Sequence, residues 1–301
     1  MFSRLLSRFT ARRLLGRFGR TGYAALRLWG LLKESAVGWQ DHKTPRMGAA
    51  LSYYAAFSLA PLITLVLSLA SLAVRRDEVA RGLVEQFSAL VGVQGGRVVG
   101  EIVAHTGTMK ALSWSTGLSF ALLMISASGA FGELQDSLNE IWEVPTKKSP
   151  WRQMIRERLL SFSMVFILGF FMLTSLVIST VVVALSRYLI GGLPVWTIEG
   201  INTAVSLVAI TVLFATLFRM LPAVTLRWRD VFPGALFSSV LFLVGKLVIG
   251  IYIAHSAFAS SYGVAGSFIV LLVWIFYSAQ ILYFGAEFTR AYTKGTAKPA
   301  D

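Results

Sequence analysis

Eight side chains have the types and positions to do chemistry within a largely apolar chain: Lys246, Tyr53, Tyr54, Tyr277, Gln280, Glu287, Arg219 and Arg290. Lys246 makes the sharpest demand. It stands thirteen residues into an apolar stretch at 233–254, about 20 Å along a helix, where a lysine costs about 3 kcal/mol unless it is paired, hydrated or able to snorkel. No acid lies at that depth in any apolar stretch. Its partner is therefore a hydroxyl, a backbone carbonyl, water or an anionic ligand. Together with Tyr53, Tyr54, Tyr277 and Gln280 on neighbouring helices, Lys246 is expected to line a partly hydrated cavity that accepts an anionic lipid headgroup. Two plainer readings compete: an ammonium bonded to backbone carbonyls that only fixes helix packing, and tyrosines that belong to an interfacial aromatic belt. Glu287 ends the last apolar stretch, where Arg219 and Arg290 are the expected ion-pair partners.

Other chemistries find little support. Without cysteine there is no disulfide, thiolate metal site or cysteine nucleophile. His42, His105 and His255 are scattered, and no HxH, HxD, HExxH, P-loop or GxGxxG pattern occurs. Asp41-His42 reads as a capping and snorkelling feature at an interface rather than a catalytic dyad. The glycines at 92, 95, 96 and 100 lack the preceding strand that a phosphate cradle needs. The sequence implies no catalytic residue, no metal site and no cofactor, and it is read as a non-enzyme.

The elements that must position these residues are membrane helices. Mean hydropathy is +0.67, with 55% hydrophobic and 14% charged residues, too little polar surface to cover a soluble globule. The expected fold is all-α: a polytopic membrane protein with six spans at about 47–74, 111–131, 159–185, 201–221, 233–254 and 266–288. The last span, twenty-three residues or about 35 Å of helix, crosses a bilayer with some tilt. On it Tyr277, Gln280 and Tyr283 or Phe284 share a face, which predicts a polar stripe turned toward other helices. Pro61 should kink the first span. The run Ser126-Ala127-Ser128-Gly129-Ala130 should let a neighbouring backbone approach closely.

Amphipathic segments connect these spans. Residues 75–110 place Val79, Leu83, Val84, Phe87, Leu90 and Val91 at steps of three and four, predicting an outer helix broken at Gly95-Gly96 and a second one ending near His105. In the inner segment 132–158, Leu134, Leu138, Ile141 and Trp142 form one apolar face, and Ser149-Pro150 reads as the cap of the next helix. Residues 1–46 are basic and suit an amphipathic helix on an anionic membrane surface. A cleaved transit peptide or an RNA-binding arm has the same composition. Residues 289–301 form a tail.

Charge placement orients the chain. With both termini on one side, that side carries twenty-one Lys and Arg against six on the other, so the positive-inside rule puts both termini in the cytoplasm. The net charge of +13 is then a topology and lipid-surface signal, and no nucleic-acid partner is expected.

Four stretches carry a resemblance: GAALSYYAAFSLAPL at 48–62, FGELQDSLNEIWEV at 131–144, WRDVFPGAL at 228–236 with Lys246 and Tyr252 beyond it, and YGVAGSFIVLLVWIFYSAQILYFGAEF at 262–288. In order and spacing the chain resembles the YihY/BrkB family of bacterial inner-membrane proteins from about Trp39 to Ala291. The resemblance implies six spans, cytoplasmic termini and a place in the inner membrane. It also implies a link to serum resistance and to lipid or lipopolysaccharide-precursor handling in the envelope, the family's older ribonuclease label being a misassignment. The arginine-rich N-terminus lies outside the family pattern. Two functions follow as expectations. One is an envelope lipid translocator, working on anionic lipids without an ATP site. The other is a non-transporting scaffold that docks an envelope protein partner through 75–105 or 133–157.

Overall fold

The computed structural model describes residues 20–71, 75–91, 93–105, 114–144, 195–255, 263–294 and 298–299. These form eight helices: α1 Arg20–Asp41, α2 Thr44–Ala70, α3 Arg76–Val91, α4 Val93–His105, α5 Trp114–Ile141, α6 Val195–Met220, α7 Trp228–His255 and α8 Gly263–Thr293. A two-residue pairing of Val224–Thr225 with Lys298–Pro299 joins the loop after α6 to the tail. Among the described residues four helices are long and apolar enough to cross a membrane, over Thr44–Ser68, Thr203–Met220, Trp228–Ile249 and Phe268–Thr293.

Local chemistry explains several boundaries. Thr44 opens α2 with Pro45 in the first turn, where the missing N–H costs nothing. Helix α2 runs on through Pro61, which leaves the Phe57 carbonyl without its usual donor. Asp230 in the first turn of α7 complements the positive helix end. Helix α5 ends in a left-handed residue, Glu143 at φ 52°, with Val144 N–H bonding Asn139 O at 2.9 Å. That is the helix-ending turn that glycine usually serves.

Three expectations change. The break between the outer helices falls after Val91, because Gly95 and Gly96 lie inside α4. Gly96 is needed there for contact, not for a turn: a Cβ would strike the Ser88 hydroxyl of α3 and come within 3.1 Å of the Val84 carbonyl. The second span and the start of the inner amphipathic segment are one continuous helix, α5, since nothing between Phe131 and Ile141 interrupts it. Helix α8 continues five residues beyond the predicted end, so Glu287 sits inside it. The third span, the Ser149-Pro150 cap and residues 1–19 lie outside the described residues.

Helices α2 and α7 begin, and α5, α6 and α8 end, at one rim of the bundle. Contacts that tie these ends together include Ala223 N–H to Asn139 Oδ1 at 2.7 Å and Phe237 stacked on Phe288 at 4.6 Å. The larger core lies at this rim, built from Leu138 and Ile141 of α5, Phe218 of α6, Val231 of α7 and Tyr283 and Ala286 of α8. The predicted apolar face Leu134, Leu138, Ile141 and Trp142 is wholly spent in it. A smaller core holds the α3–α4 hairpin on α2 through Ile63, Leu67 and Val99.

The α7–α8 crossing is a reciprocal seam of small residues. A Cβ on Gly234 would strike the Thr289 hydroxyl, and one on Gly285 would strike Ser238. The two hydroxyls turn back to their own helices, Ser238 to Gly234 O at 2.9 Å and Thr289 to Gly285 O at 2.8 Å. Each helix thus offers a small-xxx-small pair to the other, which allows backbones to approach where lipid gives no hydrophobic drive. Gly285→Val is expected to lower stability in detergent by about 2 kcal/mol by overpacking. Ser238→Gly in the same chain should recover part of the loss. Thermal unfolding of the single and double variants checks this, and an unchanged midpoint in Gly285→Val would count against the seam.

Candidate functional site

Helix α8 is the most enclosed of the four described spans, and its polar residues point to different neighbours rather than along one stripe. The Tyr277 hydroxyl packs on Gly245 of α7. Tyr283 is fully buried toward α5. Gln280 turns to α1 and α2, accepting from Trp39 Nε1 at 3.0 Å and donating to Thr44 O at 3.4 Å. Seven residues on, Glu287 faces α1 and the link that joins it to α2. Each of these two long side chains lies in a recess that only glycine leaves open, Gly48 for Gln280 and Gly38 for Glu287.

Glu287 is the centre of the strongest polar cluster among the described residues. Its side chain is 2% exposed, and His42 Nδ1 lies 2.5 Å from Oε1. With the carboxylate ionised, Nδ1–H donates to it. Arg290 Nη1 lies 3.7 Å from Oε2, and the other Arg290 amino group pairs with Glu143 at the end of α5. His42 Nε2 also reaches within 3.9 Å of Glu143. Two residues with positive φ, Lys43 and Glu143, flank the cluster, and a side chain in that region carries a strain of order 1 kcal/mol or more. Here the strain places Glu143 toward Arg290. Farther out, Lys294 pairs with Glu34 of α1.

The sequence-predicted residues thus separate into groups. Arg290 is beside Glu287, whereas Arg219 lies over the Trp228 ring at 4.3 Å and meets no acid there. Tyr53 is 58% exposed and packs on Phe57, and the Tyr54 ring lies 2.7 Å from the place a Cβ on Gly129 would take. That contact uses the small run foreseen on α5. Lys246 is exposed on α7, eighteen residues and about 27 Å from its start, between the exposed Val244, Leu247 and Val248. Among the described residues Lys246, Tyr53, Tyr54, Tyr277 and Gln280 do not converge on one cavity. The reason is that α8 is central, so residues three apart on it reach different helices. His42, Trp39 and Glu143 were missed by sequence reasoning, their partners lying more than a hundred residues away.

Outside the spans, Glu133 of α5 has its carboxyl raised above the usual carboxylate range, first by burial and then by the Asp136 charge, while the Ser137 hydroxyl and Arg46 pull it the other way. A raised carboxyl binds its proton more tightly in the fold, so stability falls as pH rises above the unfolded value of about 4.3.

A chain with this many bilayer-length apolar helices is a helical integral membrane protein. The description "Virulence factor BrkB" matches residues 36–301, and the chain belongs to that family. It is 26% identical over 269 residues to the ribonuclease-like protein YfkH of Bacillus subtilis (strain 168), covering 85% of this chain and 92% of that one. It is 28% identical over 251 residues to a UPF0761 membrane protein of Alkalilimnicola ehrlichii, covering 81% of this chain and 54% of that protein. A UPF0761 membrane protein of Photobacterium profundum is 26% identical over 255 residues, covering 80% of this chain and 73% of that protein. This chain thus spans about half the length of some relatives and nearly all of others. No solved structure matches it.

Two tests address the site. His42→Ala, which leaves Glu287 buried with one weaker partner, is expected to cost about 3 kcal/mol of stability, and Glu287→Gln about 1 kcal/mol. Equal losses in denaturant titration would contradict an unpaired charge as the cause. Glu133→Gln should gain stability over the parent as pH rises from 4 to 7, and a pH-independent difference would contradict the raised carboxyl.

Proposed function

We propose that this protein handles anionic lipids of the bacterial envelope from within the inner membrane, as a six-span bundle with both termini in the cytoplasm. The observation that carries the reading is Lys246: a cation exposed inside the apolar span Trp228–Ile249, three residues from its end, in none of the ion pairs among the described residues. In hydrocarbon such a charge needs an anion, and a lipid phosphate is the one a bilayer supplies. Lys246 is itself exposed, although it shares its side of α7 with the buried Ser239 and Ala235, two and three turns earlier.

Two features support the topology. Helices α5 and α6 both end at the rim, which calls for an odd number of crossings between Val144 and Val195, where the sequence has the apolar stretch 159–185. The rim also gathers 20–46, 219–229 and 290–298, which hold eleven of the sixteen lysines and arginines among the described residues.

The scaffold reading is less well supported on the outer side. Val79, Leu83, Val84 and Phe87 of α3 pack with Ile102 and Val103 against Ile63, Leu67 and Val99, so the apolar face a partner would need is turned inward. The name ribonuclease-like belongs to YfkH and carries no chemistry to the residues seen here.

In liposomes containing the purified protein, movement of a labelled anionic lipid is expected to fall severalfold in Lys246→Ala while thermal stability holds. Equal rates in parent and variant, or none above protein-free vesicles, would contradict the reading.

A further inference from the structure

Between α1, α7 and α8, at the rim, lies an open groove of about 560 Å³. Its floor is the stacked pair Phe237 and Phe288, with Leu31 and Val240 on its walls and Arg27 and Tyr292 at its mouth. The size falls within the roughly 300–1,000 Å³ of small-molecule sites, and the walls are almost wholly apolar. The mouth is cationic. Arg27 lies over the Tyr292 ring at 5.6 Å and joins none of the ion pairs among the described residues, whereas the neighbouring acid, Glu34, is taken by Lys294.

We propose that this groove is a binding site for one acyl chain of an anionic phospholipid, with the lipid phosphate against the Arg27 guanidinium. The proposal deepens the lipid-handling reading by adding a second site, on the rim half of α7 and on a different side of that helix from Lys246. The position argues for a lipid over other occupants. The groove opens along two helices that are apolar over membrane-spanning lengths, Trp228–Ile249 and Phe268–Thr293. Its charged end lies at the rim where α8 turns polar, the level at which headgroups sit. A chain laid over Phe237 and Phe288 would put its phosphate beside Arg27, and the aromatic ring under the guanidinium leaves that group's edge free to donate. Exposed Trp29, 69% accessible and two residues along α1, is the kind of amphipathic anchor found at that level.

Native mass spectrometry of the delipidated full-length protein, titrated with phosphatidylglycerol or phosphatidylcholine, tests this. The parent should retain one phosphatidylglycerol more tightly than phosphatidylcholine. Arg27→Ala should weaken phosphatidylglycerol about fivefold and remove the preference, as expected for one basic residue at an anionic surface. Val240→Trp, which fills the groove without touching the headgroup, should reduce retention of both lipids, and its thermal midpoint should match the parent. Retention by a folded Val240→Trp equal to the parent would overturn the proposal, as would a parent that binds only after residues 1–19 are removed, since that segment would then be the occupant. Because Lys246→Ala should leave this retained lipid in place, loss of translocation and loss of groove binding are separable results.

Discussion

Burial of the Glu287 carboxylate is the constraint on which the rim is organised. An ion taken from water into a protein interior keeps a penalty of several kcal/mol after relaxation, so a charge there is tolerable only with partners already in place. The partners come from elements far apart in sequence: His42 from the link between α1 and α2, Glu143 from the end of α5, Arg290 from the next turn of α8. Gly38 must be a glycine for α1 to come close enough. Such a cluster adds little net stability, but it sets position. Apolar helices in lipid can slide past one another at low cost, and a carboxylate that fits one histidine does not permit it.

The same helix organises the rest of the bundle. Helix α8 reads α7 through a small-residue seam, α1 and α2 through Gln280 and Glu287, and α5 through Tyr283. The buried charge and the close backbone contact of α7 with α8 both act at the rim, where Gly234, Ser238, Gly285 and Thr289 lie near the level of Glu287. Lys246 and the Arg27 groove lie on different sides of α7, the groove toward the rim and Lys246 toward the other end of the span.

Much of this was legible in the sequence. The bilayer-length stretches, the apolar face at Leu134, Leu138, Ile141 and Trp142, and the close approach at Gly129 all follow from period and residue size, which local sequence records. The family resemblance was legible for the same reason, as four motifs in order. The site was not. His42 beside Asp41 looks like an interfacial cap, and nothing local says that the residue it meets is Glu287. The polar residues of α8 share a helical face on a wheel, yet on a central helix a face is divided among several neighbours, so Tyr277 and Gln280 part company. The length of α8 was underestimated because Arg290 and Lys294 look like the end of a span, while their pairing with Glu143 and Glu34 carries the helix onward.

The most direct test of the Glu287 cluster as the fastener of the rim is a distance measurement. The chain has no cysteine, so spin labels can be placed on exposed Lys33 of α1 and Glu140 of α5 without removing any native residue. Pulsed electron spin resonance in lipid nanodiscs should give one narrow distance in the parent and a broader or shifted distribution in His42→Ala. Superimposable distributions would show that α1 and α5 are held by something other than the buried carboxylate.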